Sequence, residues 1–296
     1  MLVTVFTPTY NRAKLLPRLY KSLCVQTAEN FEWLIVDDGS TDNTREVINA
    51  IKSENNKFDI RYIYKENGGK HRAVNLGVKE ARGELFLIVD SDDILPEKSI
   101  ETIRKCYREI EHDSSFGGLC GLDADFNGKI IGNSLPQNYI DSNSLEIRSK
   151  WKIRGDLKEI FRTAVLKEFS FPEIEGEKFC PEVLVWNRIA RKYKLRFFNK
   201  VVYSVEYQQE GLTANIVKIR MNSPIASMMT YAEMAQYKRA PISLKMRAAI
   251  NYWRFRFCST DKKATKPHIS PLWLLVRPIA WLIHKKDIIS VKTSTN

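Results

Sequence analysis

Apolar residues in this chain come first in short, nearly unbroken runs and later at helical spacing. Leu2–Phe6, Phe31–Val36, Ile60–Tyr64 and Leu85–Val89 are such runs, and each stops at a polar or glycine-containing stretch. Runs of this length suit strands covered on both faces of a parallel sheet. Between them, Leu15, Leu16, Leu19 and Leu23, then Val47, Ile48 and Ile51, recur at helical intervals. The spacing predicts helices over 12–26, 42–53 and from a loop at 67–71 to Ala81. Strand, loop and helix therefore repeat through residue 93. That order predicts an α/β fold whose doubly wound, mostly parallel sheet carries a ligand crevice along the carboxyl ends of its strands.

Beyond residue 93 the pattern loosens. Pro96–Ile110 reads as a helix. Phe116–Leu122 and Phe126–Ile131 read as a hairpin around Asn127-Gly128 or the acids just before it, which makes the sheet mixed. Residues 133–155 are polar and poorly patterned, the expected signature of a mobile loop. Leu157–Phe161, Leu195–Phe198 and Val201–Glu206 read as short strands, Thr163–Glu168 and Glu182–Tyr193 as helices. After Gly211-Leu212-Thr213 the texture becomes helical and basic, most clearly at Ile225–Tyr237 and Leu244–Cys258. The division expected is an α/β domain over 1–215 and a basic helical extension over 216–296.

Charge sharpens that division. The chain of 296 residues carries a net +12, and residues 220–296 hold 14 lysines and arginines against three acids. A near-neutral body with a basic tail points to an anionic surface as the tail's partner. The five cysteines are scattered without a paired motif, which suits reduced thiols rather than a disulfide or zinc framework. Met1 leads directly into a strand-like run, so no signal peptide is expected. No stretch reaches the roughly 20 apolar residues of a spanning helix. These features together predict a cytoplasmic protein.

Candidate chemistry concentrates at Leu85–Asp93, LFLIVDSDD, where a buried run ends in Asp90, Asp92 and Asp93. In an extended chain Asp90 and Asp92 point to the same side. Converging carboxylates require a positive charge between them, and Mg²⁺ or Mn²⁺ is the oxygen-seeking candidate. The plain alternative is a solvated turn in which Asp92 or Asp93 caps the next helix.

Four motifs in register carry a resemblance: TPTYN at 7–11, VDDGSTDNT at 36–44, NGGKHRAVNLG at 67–77 and ARGELFLIVDSDD at 81–93. They resemble the donor-binding half of the inverting family 2 glycosyltransferases with the GT-A fold. The resemblance covers about the first 210 residues and is strongest over 1–95. It implies a donor half over 1–95 and an acceptor half over 96–215, with a nucleotide sugar, most often a UDP-sugar, as donor. Asp38, with Asp37 as runner-up, would accept the uracil N–H. Thr7, Pro8 and Tyr10 would hold base and ribose, and Lys70 would lie near the phosphates. Asp92 would bind the metal directly, and Asp90 would act on it through water or on the ribose.

The family also implies a general base, usually the second acid of an acidic pair six residues before an arginine. Here Glu182 stands six residues before Arg188, with Pro181 where the first acid would be. Glu182 is therefore the implied base, with Glu175, Glu177 and Asp156 as nearby competitors. Asp156, after Gly155, precedes the segment that floors the family's acceptor cavity, and it and Arg188 are the acceptor-side candidates. The implied acceptor is a saccharide or lipid-linked saccharide hydroxyl.

In the tail, HISPLWLLVRPIAWLIH at 268–284 is the most apolar stretch, interrupted at Arg277-Pro278 and followed by Lys285-Lys286. Two readings stand side by side: an interfacial segment within 262–292 lying on an anionic membrane face, or a helix packed back on the α/β domain and kinked at Pro278. No nucleic-acid recognition fold accompanies the charge. The expectation is a metal-dependent glycosyltransferase peripheral to the inner face of the membrane. A non-catalytic binding module and a nucleotidyltransferase are the rival readings. The second lacks its usual Gly-rich phosphate loop after the first strand.

Overall fold

The computed structural model describes residues 1–54, 56–206, 215–259 and 266–293; Gly211-Leu212-Thr213, Lys262 and Lys263 lie outside the described residues. Two compact units result: Met1–Ser170 with Val185–Tyr207, and Phe171–Leu184 with Gln208–Asn296.

The first unit begins with β1 (Val3–Thr9), α1 (Leu16–Cys24), β2 (Phe31–Asp37), α2 (Thr44–Ser53), β3 (Asp59–Tyr64), α3 (Lys70–Glu80), β4 (Leu85–Ile88) and α4 (Ser99–Arg108). It continues with β5 (Phe116–Asp125), β6 (Tyr139–Ser142), α5 (Glu146–Ser149), β7 (Leu157–Arg162) and α6 (Thr163–Glu168). After α7 (Glu182–Ile189) comes β8 (Lys194–Val205). The eight strands form one sheet in the order β3-β2-β1-β4-β7-β5-β8-β6. β1 is parallel to β2 and β4, β2 to β3, and β5 to β8. β7 is antiparallel between β4 and β5, and β6 antiparallel on β8. The expected mixed sheet is therefore present. The chain runs outward from β1 to β3 and then returns to β4 on the other side of β1. This reversal makes the carboxyl ends of β1 and β4 a topological switch point, where open α/β sheets bind their ligands.

Every residue of β1, β2 and β4 is buried, which explains why their sequences are runs rather than alternations. α1 lays Leu16, Leu19, Tyr20 and Leu23 on this surface, with Tyr20 stacked 6.1 Å from Trp33. Polar groups are left to the rim, where the loops are.

Three expectations change. Residues 126–131 form no strand: Ile130 makes a single bridge to Ala124, and the chain turns at Gly128 (φ +80°) while Asp125 Oδ1 accepts the Asn127 and Lys129 N–H groups. The predicted mobile loop at 133–155 contains β6 and α5; Ile140 is buried against the sheet and Asn143 Oδ1 accepts the Leu145 and Glu146 N–H groups. The two predicted strands at 195–206 are one continuous strand, β8.

The second unit contains α8 (Ile216–Met221), α9 (Pro224–Gln236), α10 (Ile242–Arg256), a 3₁₀ turn at Pro271–Val276, and α11 (Arg277–Thr293). Met228, Ala232, Ala249, Tyr252, Phe255 and Val276 share its core. At the start of α9 no side chain of the helix itself caps the open N–H groups. Glu177 does so from outside, accepting from Ile225 N at 2.6 Å and Ala226 N at 2.9 Å. Burial raises the Glu177 carboxyl, and these two donors only partly offset it. α11 buries Ala280, His284 and Asp287, and Asp287 takes both arms of Arg254 from α10 at 2.5 and 2.7 Å. Pro278 sits in the first turn of α11. Its missing N–H costs nothing there, so it starts a helix rather than kinking one.

Candidate active site

At the end of β2 the carboxylates are bound on all sides. Asp37 Oδ1 accepts from Ser40 N at 2.8 Å and Oδ2 from Tyr62 Oη at 2.6 Å. Asp38 takes Lys65 Nζ (2.5 Å), Asn67 Nδ2 (3.2 Å), Gly68 N (2.9 Å) and Gly69 N (2.7 Å). Asp38 thereby fixes the 67–69 loop that leads into α3. Gly39 is needed for this approach: its φ is +84°, and a Cβ there would lie 2.6 Å from Asn67 N. Asn11, in the left-handed region at φ 53°, ties the first loop to the second by accepting from Thr41 N at 2.8 Å. Asp42 closes the set on Ala13 and Thr44. Burial acts to raise its carboxyl, but these hydrogen bonds outweigh it and hold the group below its ordinary range.

The end of β4 is different. Asp90 pairs with Lys70 Nζ at 2.6 Å, and its backbone N–H donates to Tyr203 Oη at 3.0 Å. Burial alone would raise the Asp90 carboxyl; the charges of Lys70, Lys158 and Arg12 overcome it and hold the group low. The Asp92 carbonyl accepts from Arg18 Nη2 at 2.5 Å, and Arg18 Nη1 pairs with Glu206 at 2.7 Å. Among the described residues the Asp92 carboxylate itself has no hydrogen bond or ion pair. Asp93 is buried, accepting from Tyr203 Oη at 2.6 Å. Its carboxyl is pushed up to about 6, by burial first and by Asp90 and Asp92 after it.

The other candidates fall as follows. Tyr10 is exposed at the end of β1 and Pro8 is buried in it. The Thr7 hydroxyl faces the core, accepting from Trp33 Nε1 at 2.9 Å. Asp156 is exposed just before β7, and Arg188 lies in the last turn of α7. Glu182 opens α7 and belongs to the second unit, while Arg188 belongs to the first. Glu177, a competitor for the base, is committed to the start of α9.

No group of three or more ligating side chains clusters for a metal among the described residues. An Mg²⁺ or Mn²⁺ ion needs no such cage; one or two carboxylates with substrate phosphates suffice. The Asp92 carboxylate, which has no protein partner among the described residues, fits that requirement beside Asp90.

Residues 4–147 match the model of the family described as Glycosyl transferase family 2. Glycosyltransferase GlyG of Streptococcus pneumoniae serotype 4 is 30% identical over 211 residues, 68% of this chain and 69% of that protein. The chain belongs to glycosyl transferase family 2. It is a glycosyltransferase, and the binding-module and nucleotidyltransferase readings give way. An uncharacterized glycosyltransferase of Rickettsia felis is 40% identical over 217 residues, but the match spans only 32% of that protein. Among solved structures, S. aureus TarS 1–349 in complex with UDP aligns with a TM-score of 0.61 at 22% identity, covering 89% of this chain and 74% of that one. Mannosyltransferase PcManGT from Pyrobaculum calidifontis, in complex with GDP-Man and Mn²⁺, aligns at 0.57 and 18% identity over 98% of this chain and 83% of that one. At such identities the likeness establishes the GT-A fold.

Family 2 motifs led to Asp37, Asp38, Asp90 and Asp92 but passed over Lys158, Tyr203 and Arg12, which set the field at Asp90. Lys158 did carry a signal, as a cation inside the otherwise mostly buried strand Leu157–Phe161. Tyr203 carried none, since an aromatic in a strand reads as core.

Proposed function

We propose that this glycosyltransferase moves a sugar, with inversion, from a UDP-sugar to a hydroxyl of a polysaccharide or lipid-linked oligosaccharide. The observation that carries the reading is Asp92. Among the described residues its carboxylate has no protein partner, whereas the Asp37 carboxylate accepts two hydrogen bonds and that of Asp38 four. TarS has been captured with UDP and with UDP-GlcNAc, and PcManGT with GDP-Man and Mn²⁺, which supports a nucleotide-sugar donor.

In this reading the first and second loops cradle the nucleoside through Pro8, Tyr10, Asp37 and Asp38. Thr7 supports them through its bond to Trp33. Lys70, at the first residue of α3, faces the diphosphate together with that helix's positive end. A divalent cation on Asp92 and Asp90 would neutralise the charge that develops on the leaving diphosphate. Glu182 takes the proton of the acceptor hydroxyl, whose oxygen attacks the anomeric carbon from the face opposite the diphosphate. The bond from that carbon to the phosphate oxygen breaks, and UDP leaves with the electron pair. Asp156 and Arg188 orient the acceptor.

A thermal-shift screen against UDP, GDP, CDP and TDP and their sugars, with and without Mn²⁺, tests the donor half. UDP ligands should raise the melting temperature, and more so with Mn²⁺. A folded protein that responds to no nucleotide would overturn the reading. Glu182→Gln should keep the donor shift and lose transfer by about 10²–10⁴-fold; an active variant would place the base elsewhere.

We further propose that the second unit rests on an anionic membrane face on the cytoplasmic side. No helix among the described residues is long and apolar enough to cross a membrane. Opposite the buried face of α11, however, Ile279, Leu282 and Ile289 form an exposed stripe at helical spacing, and Leu272 and Leu275 on the preceding 3₁₀ turn are exposed as well, Leu275 at 78%. Lys286 lies in the same stripe, and Lys285 reaches over the Trp281 ring at 5.4 Å. Apolar stripe and cations together match the surface of anionic lipid. Co-sedimentation should be strong with vesicles containing phosphatidylglycerol, weak with phosphatidylcholine alone, and abolished by Leu275→Glu with Leu282→Glu. Equal recovery from both vesicle types would remove the electrostatic part of the proposal.

A further inference from the structure

Asp123, on β5, plays no part in the reaction as described, yet it is the least explained charged group in the first unit. It is 4% exposed. Its Oδ1 has no hydrogen-bond partner among the described residues. Native interiors avoid such an oxygen unless something else completes it.

Its position says what that could be. β7 runs antiparallel to β4, with Ile160 level with Leu87, so the start of β7 lies beside the end of β4. Across the next pairing Leu157 meets Leu122 and Lys158 meets Gly121; across the one after, Asp123 meets Tyr203. Tyr203 is the residue that bonds Asp90 N and the Asp93 carboxylate. The Lys158 ammonium lies 3.4 Å from the Tyr203 ring centroid, and its charge acts on Asp90, Asp93 and Asp123 alike. Asp123 and Lys158 therefore stand next to the Asp90–Asp93 turn, on the side away from β1.

The charge balance narrows the ligand class. A second metal ion would be repelled by Lys158. A phosphate would be repelled by Asp123, Asp93 and Asp156. A neutral polyhydroxyl suits both: each hydroxyl donates one hydrogen and accepts others, so a carboxylate and an ammonium side by side satisfy it from both directions. Burial pushes the Asp123 carboxyl up to about 7, with Lys158 opposing and Asp156 and Asp93 adding. Near neutrality the group can both accept and donate.

We propose that Asp123 and Lys158 form a subsite for the hydroxyl groups of a pyranose held next to the diphosphate. The inference rests on the nucleotide-sugar reading above. The pyranose is either the transferred sugar or the first sugar of the acceptor, and one set of measurements separates the two. Asp123→Asn, close in shape, and Lys158→Met are made in the full chain. Each is checked for folding by circular dichroism and compared with the parent for binding of UDP and of UDP-glucose, UDP-galactose and UDP-GlcNAc, and for acceptor KM.

If the subsite takes the transferred sugar, both variants keep UDP affinity within twofold and lose at least tenfold in affinity for the intact donor. If it takes the acceptor, donor affinity is unchanged and acceptor KM rises at least tenfold. A folded variant with both quantities within twofold of the parent overturns the proposal, even if its melting temperature has moved. Equal weakening of UDP and UDP-sugar overturns it too, because the effect is then on the nucleotide. Should Asp123→Asn not fold, Lys158→Met is read by the same criteria. A parent protein that binds no nucleotide at all refutes the nucleotide-sugar reading itself, a result distinct from a parent that binds and a variant that is indifferent.

Discussion

The ends of β2 and β4 look alike in sequence, Val-Asp-Asp-Gly against Val-Asp-Ser-Asp-Asp, and are opposites in structure. Asp37 and Asp38 receive six hydrogen bonds from within the protein. Their charge is consumed in fastening the 38–43 and 65–69 loops to each other and to β3. At β4 the charges are balanced at short range by Lys70 and, through the field, by Lys158 and Arg12, while the Asp92 carboxylate has no partner among the described residues. Acids after a buried strand can be a fastening or a binding site. The number of donors already aimed at them tells which. In the proposed reading the fastened end is the seat for the nucleoside and the balanced end is where a cation and the diphosphate bind.

Asp92→Asn tests the contrast most severely. With no carboxylate bond to lose among the described residues, the variant should melt within about 1 °C of the parent, while transfer falls by about 10²–10³-fold, the cost of removing one charge-stabilising group. Persistent transfer would mean that the open carboxylate is incidental. Asp38→Asn should show the reverse emphasis. It disturbs a buried, charge-assisted network and should cost about 1–3 kcal/mol in urea unfolding. Faster amide exchange at Gly68 and Gly69 should accompany the loss. Unchanged stability there would remove the idea of a fastening.

A third test, away from both strand ends, is of pH dependence. Asp123 is raised from an ordinary 3.8 to about 7. A carboxyl raised on folding favours the folded state fully below about pH 4, and that contribution is lost as pH rises through 7. Lys158 opposes this shift, whereas Asp156 and Asp93 reinforce it. Melting temperature should therefore decline from pH 4 to pH 8 by more in the parent than in Asp123→Asn. Parallel profiles would show that Asp123 titrates near its ordinary value.

What was legible in the sequence was local. The donor half could be read because each motif is contiguous with the strand that presents it, and burial on both faces leaves a run that cannot be mistaken for an alternation. Lys158, Asp123 and Tyr203 escaped because β7, β5 and β8 bring them together from positions scattered between 123 and 203, and only the insertion of β7 between β4 and β5 makes them neighbours. Thr7 shows a second limit: its polarity was visible, but not that the pleat turns its hydroxyl toward Trp33. β6 was missed because Tyr-Ile-Asp-Ser is too short to establish a period.

The reach of Glu177 to the start of α9 has a consequence for how this chain can be divided or inherited. The second unit is not a simple tail. It includes Phe171–Leu184, and one of the fastenings inside it is a buried carboxylate satisfied by Ile225 and Ala226. Recombination with a relative at any point between residues 185 and 223 would separate the acid from the N–H groups that complete it. Unless the incoming half restored the match, the exchange would leave a buried acid without donors. The region around Glu182 and the basic helices should therefore travel between genomes as a linked pair, although about forty residues of chain lie between them.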